Sequence, residues 1–549
     1  MQSQPMIILD EDAQRMKNED AQSHNLAAAR AVAQSVRSTL GPKGMDKMLV
    51  SQIGDVTITN DGVTILQEMD IDNPTAEMII EVAEAQEDEA GDGTTTAVSI
   101  AGELLGNAEE LLEQDIHPTA IIRGFDMAVK QAREEIDDIA TAVDPDDEEI
   151  LKAVAETSMT GKGAELNLDL LSDLVVSAVQ AVSVEADDGS TVVDLGFIDI
   201  ESKPGRPSGD SKLVEGAVVD EDPVHEDMPT ALEDASVLLL DTPLELDETE
   251  SDAQLSVDDP EQLQQFIEQE EAQLREMVET IAEAGVDVVF CQKGIDDMVE
   301  HLLAKEGILA VERTKKSDIE FLTEVLGAHI VSDLESIDSD ALGTGDITRN
   351  DTDEWFTVES EGGHGVTLLI RGSTEHVSDE LERGINDALD VVASTVSDGR
   401  VLAGGGATEV ELAGRIRDYA DSVSGREQLA VEAFADAFEL VPRVLAENAG
   451  LDSIDTLVEL RSAHEAGEER AGLNVFTGEV VDTYEEGVVE PAHAKSQAIS
   501  SAAEAANLVL KIDDIIQAER LGASDDDAGG AGGAPGGMGG MGGGMGGMM

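Results

Sequence analysis

The sequence contains a single cysteine, Cys291, and aromatic residues make up only 2% of its 549 residues. One cysteine excludes an internal disulfide, which is typical of a reducing compartment, and its apolar surroundings indicate a small core residue rather than a nucleophile. The scarcity of aromatic residues means that the core is built from aliphatic side chains. No apolar run approaches the roughly 20 residues that span a bilayer, and residues 1–12 show no secretory signal. We therefore expect a cytoplasmic protein without a membrane partner.

Basic residues are also scarce, because 33 Lys and Arg stand against 120 Asp and Glu, which gives a formal net charge of −87. Nucleic acids are disfavoured as partners, since neutralising their phosphates requires clusters of Lys and Arg. Charges repel over a Debye length of about 8 Å at physiological ionic strength but only about 3 Å in molar salt. An acidic disordered chain would lack the apolar periodicity found here. The charge therefore predicts a halophilic protein.

Apolar periodicity divides the chain, which is too long for one compact core, into three parts. Residues 20–145 show helical spacing, and residues 236–332 alternate between strand and helix patterns. Helical spacing returns from 370 to about 520. This nesting predicts a multidomain α and α/β fold in which both ends of the chain build one mainly helical domain.

Three local signals refine this organisation. Residues 57–62 read as a strand that runs into an Asp-Gly turn, the short-range signal of a hairpin. A polar insert at 241–260 leads into a helix, with Asp259 as the expected N-cap and Pro260 at the first helical position. Residues 523–549 are rich in glycine and methionine, and we expect them to be disordered.

Three glycine-containing clusters are candidate nucleotide-binding segments: residues 39–44, 91–96 and 401–407. The second opens a helix, where backbone N–H groups and the helix dipole favour an anion, and its Asp92 suits Mg²⁺. Each cluster is equally compatible with an ordinary helix end or loop. Outside the tail there is no P-loop or dinucleotide fingerprint. Residue chemistry alone therefore indicates a multidomain protein with a candidate nucleotide site.

Seven longer segments occur in an order that matches one family. They are 39–50 (TLGPKGMDKMLV), 55–66 (DVTITNDGVTIL), 91–106 (GDGTTTAVSIAGELLG), 157–165 (TSMTGKGAE), 290–318 (FCQKGIDDMVEHLLAKEGILAVERTKKSD), 401–406 (VLAGGG) and 484–499 (YEEGVVEPAHAKSQAI). Together they resemble group II chaperonins, the family of the archaeal thermosome and the eukaryotic cytosolic chaperonin, from about residue 10 to 522.

The resemblance implies an ATP-dependent chaperone, one subunit of a double ring that encloses and refolds unfolded proteins. It implies identical or homologous partner subunits, a built-in lid without a separate co-chaperonin, ATP and Mg²⁺ as cofactors, and K⁺ as a further expected ion. The implied domains are an equatorial ATPase domain (1–146 and 404–522), an intermediate domain (147–216 and 370–403) and an apical substrate-binding domain (217–369), with a lid protrusion at about 241–275.

Residue roles also follow from the resemblance. The implied nucleotide-binding residues are Thr39, Leu40, Gly41, Pro42, Gly93, Thr94, Thr95, Thr96, Lys162, Gly405, Asn474 and Glu490. Asp92 would hold Mg²⁺, and Asp61 and Asp387 would position and activate the attacking water, as phosphoryl transfer requires. Asp390 lies about one turn beyond Asp387, but only Asp387 is in the family motif.

The residues that bind unfolded clients are less clearly indicated by the sequence than the nucleotide-binding residues. The resemblance suggests Met298 and Leu302 as substrate contacts, although apolar residues at this helical spacing are equally typical of a core.

Two other functions compete with a folding machine. A ring-forming scaffold that has lost hydrolysis would be expected to lose Asp61, Asp92 and Asp387, all of which are present. An ATP-dependent small-molecule enzyme would need an acceptor pocket, which no motif indicates.

Overall fold

The computed structural model describes residues 15–17, 19–51, 54, 56–69, 71–164, 167–186, 191–246, 260–350, 352, 355–360 and 363–516. The chain divides into two compact units, residues 1–22 with 512–549 and residues 23–511. In the first unit, strands β1 (Arg15–Lys17) and β21 (Asp514–Ile516) pair in antiparallel fashion. Segments from opposite ends of the chain therefore share one two-stranded sheet.

The largest hydrophobic core of the second unit is built by helices from both halves of the sequence. Alanine-rich sequence with Leu, Ile and Val at helical spacing favours these helices and lets them pack closely. Phe125 and Phe438 both pack edge to face against Phe434, with ring centroids 5.5 and 5.3 Å apart. The helices are α1 (Glu19–Val36), α2 (Gly62–Gln67), α3 (Pro74–Ala90), α4 (Thr94–Glu113), α5 (Pro118–Ile139), α12 (Ala407–Ala420), α13 (Glu427–Phe438), α14 (Leu440–Asn448), α15 (Ser453–Glu465) and α16 (Ala492–Leu510).

A second core packs three helices against a three-stranded sheet. Strand β16 is buried along its whole length and pairs parallel with β7 and antiparallel with β8. The elements are α6 (Glu148–Met159), α7 (Leu168–Val182), α11 (Glu375–Asp398), β7 (Ile198–Pro204), β8 (Lys212–Glu215) and β16 (Val366–Gly372). Asp387 on α11 and Lys162, in the loop between α6 and α7, therefore belong to the same packed body.

The third core surrounds a seven-stranded mixed sheet in the order β12-β11-β10-β14-β15-β9, with β13 beside β10. Residues 288–291 are entirely buried, as expected for a strand covered on both faces. The elements are β9 (Ala217–Val219), β10 (Ala231–Leu240), α8 (Pro260–Glu283), β11 (Val288–Cys291), α9 (Asp297–Glu306), β12 (Leu309–Val311), α10 (Lys316–Leu326), β13 (Ile330–Val331), β14 (Gly343–Asn350) and β15 (Trp355–Glu359).

The remaining described strands of the second unit form four short sheets. The strands are β2 (Lys47–Val50) with β3 (Val56–Thr59), β5 (Ser183–Glu185) with β6 (Thr191–Val193), β18 (Ala471–Asn474) with β19 (Glu479–Asp482), and β17 (Arg400–Ala403) between β4 (Thr141–Ala142) and β20 (Val489–Pro491). In the last sheet Leu402 lies opposite Glu490. This pairing brings Glu490 next to the glycine cluster that follows β17.

The predicted α and α/β fold is confirmed, including the alternation of strand and helix between β10 and β13. Helix α8 begins at Pro260, as predicted, whereas Asp259, most of the polar insert and the tail at 523–549 lie outside the described residues. Cys291 is fully buried, in agreement with a core role, and burial raises the pKa of its thiol to about 11. None of the helices in the described part of the chain combines the length and apolarity needed to cross a membrane.

The prediction of a hairpin turn at Asp61-Gly62 is wrong. Strand β3 ends at Thr59, and Asp61 instead caps α2, because its Oδ2 accepts a hydrogen bond from the Thr64 N–H at 2.7 Å. Aspartate is among the preferred N-cap residues, and this local bond competes with a turn. The hairpin that does form joins β2 to β3 on the other side of β3.

Candidate functional site

A cavity of about 350 Å³ is lined by residues of both the first and the second core. Its size falls within the usual range of ligand-binding pockets, about 300–1,000 Å³. The predicted residues that line it are Thr39, Leu40, Gly41, Pro42, Asp61, Asp92, Gly93, Thr94, Thr95, Thr96, Lys162, Gly405, Asn474 and Glu490. Segments separated by hundreds of residues therefore meet around one space.

One part of the cavity wall is the N-terminus of helix α4. Helix α4 begins after Gly93, which has φ of 84°, and α3 ends at Gly91, which has φ of 67°. Both values lie in the left-handed region that glycine adopts without strain. Among the described residues no side chain caps α4, so its first N–H groups and the helix dipole face the cavity and favour negative charge.

Lys162 connects the carboxylates of the site. Its Nζ donates to Oδ2 of Asp387 at 2.5 Å and lies 3.5 Å from Oδ1 of Asp92. Lys162 lines the cavity, whereas the buried Asp387 is not among the lining residues. Asp387 is therefore connected to the cavity by its contact with Lys162. Through its two contacts, Lys162 links Asp387 on α11 of the second core to Asp92 in the loop between α3 and α4 of the first core.

Burial dominates the protonation of these groups. It raises the pKa of Asp387 to about 6, although Lys162 opposes the shift. Burial alone would lower the pKa of Lys162, but Asp387 and Asp92 more than offset it and its pKa is raised. Burial, together with Asp387, Asp61 and Asp92, raises the pKa of Glu87 on α3 to about 8. The site thus holds a carboxylate that ionises close to neutral pH beside a permanently charged lysine.

The loop that carries Lys162 is hydrogen-bonded to the segment between β3 and α2. Nδ2 of Asn60 donates to the carbonyl oxygen of Gly161 at 2.5 Å. Gly161 has φ of 94°, and a Cβ added to it would lie 3.1 Å from Cα of Pro42. Only glycine fits here without strain. Asn60 was not predicted as a site residue, although its neighbour Asp61 was.

The structure separates Asp387 from Asp390. Asp390 packs against Gly91, because a Cβ added to Gly91 would lie 2.1 Å from the Cβ of Asp390. Asp390 lines a different cavity together with Glu87 and His493. Asp387 faces Lys162 instead. One turn of α11 therefore directs the two carboxylates to different spaces.

Another part of the cavity wall consists of two tight loops, around Gly405 and after Asn474. The Leu473 N–H donates to the Gly405 carbonyl oxygen at 2.9 Å, and Gly405 has φ of 63°. Oδ1 of Asn474 accepts from the N–H groups of Phe476 and Thr477 at 3.0 and 3.1 Å, which shapes the turn between β18 and β19. These bonds fix the shape of the wall independently of any ligand.

Beside this wall, Glu490 is paired with a buried lysine that sequence reasoning missed. Lys495 lies 2.5 Å from both Glu490 and Glu409. Lys495 is part of the motif at 484–499, but an isolated lysine in a helix is typical of an exposed position. Glu490 lies on β20, two residues before α16 begins at Ala492, and nothing in the sequence around it indicated the pairing.

The residues around Asp92 fit a magnesium ion that is bound together with phosphate. Mg²⁺ in nucleotide sites usually takes one or two carboxylates and completes its shell with phosphate oxygens and water. The side chain of Asp92 is 39% exposed and lies beside the free end of α4. No group of three or more His, Cys, Asp or Glu in the described ranges could hold a metal ion by itself. The ligand would therefore bring part of the coordination shell.

The predicted client contacts lie elsewhere, on α9. Met298 and Leu302 are half-buried and pack against the third core. They have little apolar surface left to offer, so their role in binding clients stays a prediction.

Comparisons with known proteins agree on one family. The sequence profile of the TCP-1/cpn60 chaperonin family matches residues 32–520. Thermosome subunit 2 of Haloferax volcanii is 70% identical over 534 residues, 96% of each chain, and thermosome subunit beta of Halobacterium salinarum is 68% identical over 521 residues, 94% of each chain. The open-state monomer of a group II chaperonin from Methanococcoides burtonii is 44% identical, with a TM-score of 0.61, and covers 77% of this chain and 100% of its own.

Proposed function

The chain belongs to the TCP-1/cpn60 chaperonin family, and as a group II chaperonin subunit it is an ATPase of a double ring that folds other proteins; we propose that the cavity described above is where it hydrolyses ATP. The observation that carries this proposal is the contact of Lys162 with Asp387 and Asp92 at the uncapped end of α4. Cation, carboxylate and backbone donors converge there as phosphoryl transfer requires.

Each residue has a part in the proposed reaction. The N–H groups of Thr94, Thr95 and Thr96 hold the phosphates. Asp92 would hold Mg²⁺, and the ion would supply positive charge that offsets the charge of the phosphates. Asp61 and Asp387 orient a water molecule whose oxygen bonds to the γ-phosphorus as the bond to the β,γ-bridging oxygen breaks. The products are ADP and inorganic phosphate, and the water proton passes to a carboxylate.

Lys162 exchanges partners during this reaction. In the absence of nucleotide its ammonium group is taken up by Asp387. A γ-phosphate with more negative charge competes for the same ammonium, and its success frees Oδ2 of Asp387 to accept a hydrogen bond from water. Binding of ATP thus prepares the carboxylate that hydrolyses it.

The three cores support the predicted division into domains. The first, built from residues 26–136 and 402–510, serves as the equatorial ATPase domain, and the third, from residues 217–358, as the apical domain. The second core is the intermediate domain and carries Lys162 and Asp387. Hydrolysis is then coupled to movement, because two site residues travel with the intermediate domain.

Assembly and environment complete the proposal. The ring acts on unfolded clients, closes with its own lid formed near 241–275 and needs no separate co-chaperonin. The outer face of the β2–β3 hairpin supports contacts between subunits, because Met48, Val50, Val56 and Ile58 are all exposed and Met48 lies opposite Ile58. We place the protein in a salt-adapted cytoplasm with K⁺ as the abundant ion.

A refolding experiment tests the function. Purified chain in molar KCl should release inorganic phosphate from MgATP and raise the yield of a chemically denatured halophilic client at least about fivefold over ADP. Without Mg²⁺ both activities should disappear. Assembly without phosphate release would instead indicate a scaffold, and phosphate release that depends on a small-molecule acceptor would indicate a different enzyme.

The pH dependence of kcat/KM should be bell-shaped, because this parameter reports the free enzyme. Asp387 must be ionised, so activity should rise with pH through about 6. Glu87 gains its charge at about pH 8 and adds repulsion toward the phosphates, so activity should fall above that value. Glu87→Gln should remove the alkaline limb and keep the acidic one. Loss of both limbs, or of neither, would contradict the assignment.

A further inference from the structure

A buried triad of charges adjoins the cavity, formed by Glu409 of α12, Glu490 of β20 and Lys495 of α16. Nζ of Lys495 lies 2.5 Å from Oε1 of Glu409 and 2.5 Å from Oε2 of Glu490. The Lys495 and Glu409 side chains are 7% and 1% exposed, and that of Glu490 is 31% exposed. Lys495 and Glu490 line the cavity, whereas Glu409 is not among the lining residues. The triad thus presents one carboxylate to the ligand and keeps the other behind it.

The charges of the triad do not cancel. Two carboxylates share one ammonium, and Oε2 of Glu409 has no hydrogen-bond partner among the described residues. Burial raises the pKa of Glu490, and Lys495 acts against this shift. A carboxylate in such surroundings stays ionised only if a cation remains beside it. Lys495 therefore supports both the charge and the orientation of Glu490.

The start of α16 is held in place from a second direction. Gln86 is fully buried, and its Nε2 donates to the carbonyl oxygens of Asp92 at 2.8 Å and Ala494 at 3.2 Å. Ala494 immediately precedes Lys495. The backbone that carries the lysine is therefore fixed to the loop that carries the proposed magnesium ligand, and the triad has a defined position relative to the phosphates.

Lys495 contacts one oxygen of Glu490 and leaves the other, Oε1, beside the glycine loop. A Cβ added to Gly404 would come within 3.1 Å of this Oε1. An ionised carboxylate accepts hydrogen bonds and donates none, and it repels phosphate. The groups of a nucleotide that suit it are uncharged donors. The 2′ and 3′ hydroxyls of ribose are the pair closest to the phosphates, and Gln86 ties the backbone of Lys495 to the loop that would hold those phosphates.

We propose that Lys495, braced by Glu409, is a positioning residue that presents Glu490 to the sugar hydroxyls and so makes the site selective for ribonucleotides over 2′-deoxyribonucleotides. This inference rests on the proposed hydrolysis of ATP in the cavity. Lys495 acts through Glu490, and its contribution is to the recognition of the sugar rather than to the transfer of phosphate. Its removal therefore changes the ratio between two substrates more than it changes kcat.

The test compares ATP with 2′-deoxy-ATP in the assembled full-length protein in molar KCl. A hydrogen bond to a charged group is worth about tenfold or more in kcat/KM, so the wild-type protein should prefer ATP by roughly that factor. Lys495→Met combined with Glu409→Gln removes one positive and one negative formal charge and roughly keeps the side-chain volumes, so that Glu490 is left without its cation. In this double variant the preference should fall to within about twofold, mainly through KM.

Lys152→Met is the matched control. Nζ of Lys152 also bridges two carboxylates, those of Asp169 at 2.6 Å and Asp173 at 2.7 Å, but it is not among the residues that line the cavity. This variant should keep the wild-type preference for ATP. Lys495→Arg retains the positive charge and should keep most of the preference for ATP. It provides the measurement if the double variant does not assemble. Loss of the preference in an assembled arginine variant would overturn the inference.

The outcomes separate the two proposals. A double variant that keeps the preference for ATP, or loses kcat equally for both nucleotides, overturns the role given to Lys495. A wild-type protein that hydrolyses both nucleotides equally well also overturns it, while the proposed function stands. A wild-type protein that hydrolyses neither refutes the proposed function itself.

Discussion

Asp387→Asn is expected to lower kcat for ATP hydrolysis about 100- to 10,000-fold, the range that general base catalysis contributes, while KM for ATP stays constant or falls. Asparagine keeps the size of the side chain and can still accept a hydrogen bond from Lys162, whose Nζ lies 2.5 Å from the carboxylate in the wild-type protein. It can no longer take a proton from water. Because one negative charge leaves a cavity that receives phosphates, binding should not weaken. Single-turnover phosphate release, measured beside nucleotide binding, checks both parts.

Asp390→Asn provides the control on the same helix. Asp390 is one turn away, packs against Gly91 and lines the separate cavity. Its amide variant should retain kcat within about threefold, as expected for a residue outside the reacting atoms. A loss below about tenfold in Asp387→Asn, or an equal loss in both variants, would contradict the assignment of Asp387 as the residue that orients water.

Most of the predicted residues of the cavity wall came from continuous motifs that resemble those of group II chaperonins, because residue chemistry alone left each glycine cluster equally compatible with a helix end or a loop. Residues 39–42 and 93–96 combine glycine with threonine at a helix end, a pattern whose local geometry is fixed by backbone sterics and by the exposed N–H groups of a helix. The nested arrangement of domains followed from the period of the apolar residues, which reports local structure directly. Neither inference needed a contact between distant residues.

The connections across the cavity could not be predicted, because they join residues far apart in the chain. Lys162 and Asp387 are separated by 225 positions, and Lys495 and Glu409 by 86. Their pairing depends on how α11 and α16 pack, which periodicity does not encode. The prediction of a turn at Asp61 was wrong because of a local contact rather than a distant one. A single hydrogen bond from the Thr64 N–H to Asp61 makes this residue a helix cap instead of part of a turn.

Salt should have the largest effect on stability. The net charge is −87, and several basic residues, among them Lys152, Lys162 and Lys495, each contact two carboxylates. Arg415 alone contacts four carboxylates, those of Glu135, Asp138, Glu411 and Glu469, at 2.7–3.1 Å. Because acidic residues outnumber basic residues by 87, dissolved cations must screen most of the carboxylates.

Lowering KCl from about 3 M to about 0.1 M should therefore unfold or dissociate most of the protein at 25 °C, because the Debye length grows from less than about 3 Å to about 10 Å. Circular dichroism and sedimentation velocity across a KCl series would record the transition. Sucrose favours burial of the chain without screening charge, so at 0.1 M KCl it should restore less structure than added KCl does. A protein that keeps its helicity and its assembled size at 0.1 M KCl would contradict this account of the charge.

The same physics predicts which helices respond first, namely those whose charges oppose their own dipole. Helix α3 ends in Glu87, Asp88 and Glu89 with no basic residue in its last turn, where carboxylates meet the negative end of the helix. Asp88→Asn should therefore lower the KCl concentration at the midpoint of unfolding. Glu148→Gln, in the first turn of α6, removes a carboxylate from the favourable end and should raise that midpoint. Both substitutions reduce the net charge by one, so equal shifts would mean that total charge alone sets the salt requirement, whereas opposite shifts would show that its placement on each helix matters.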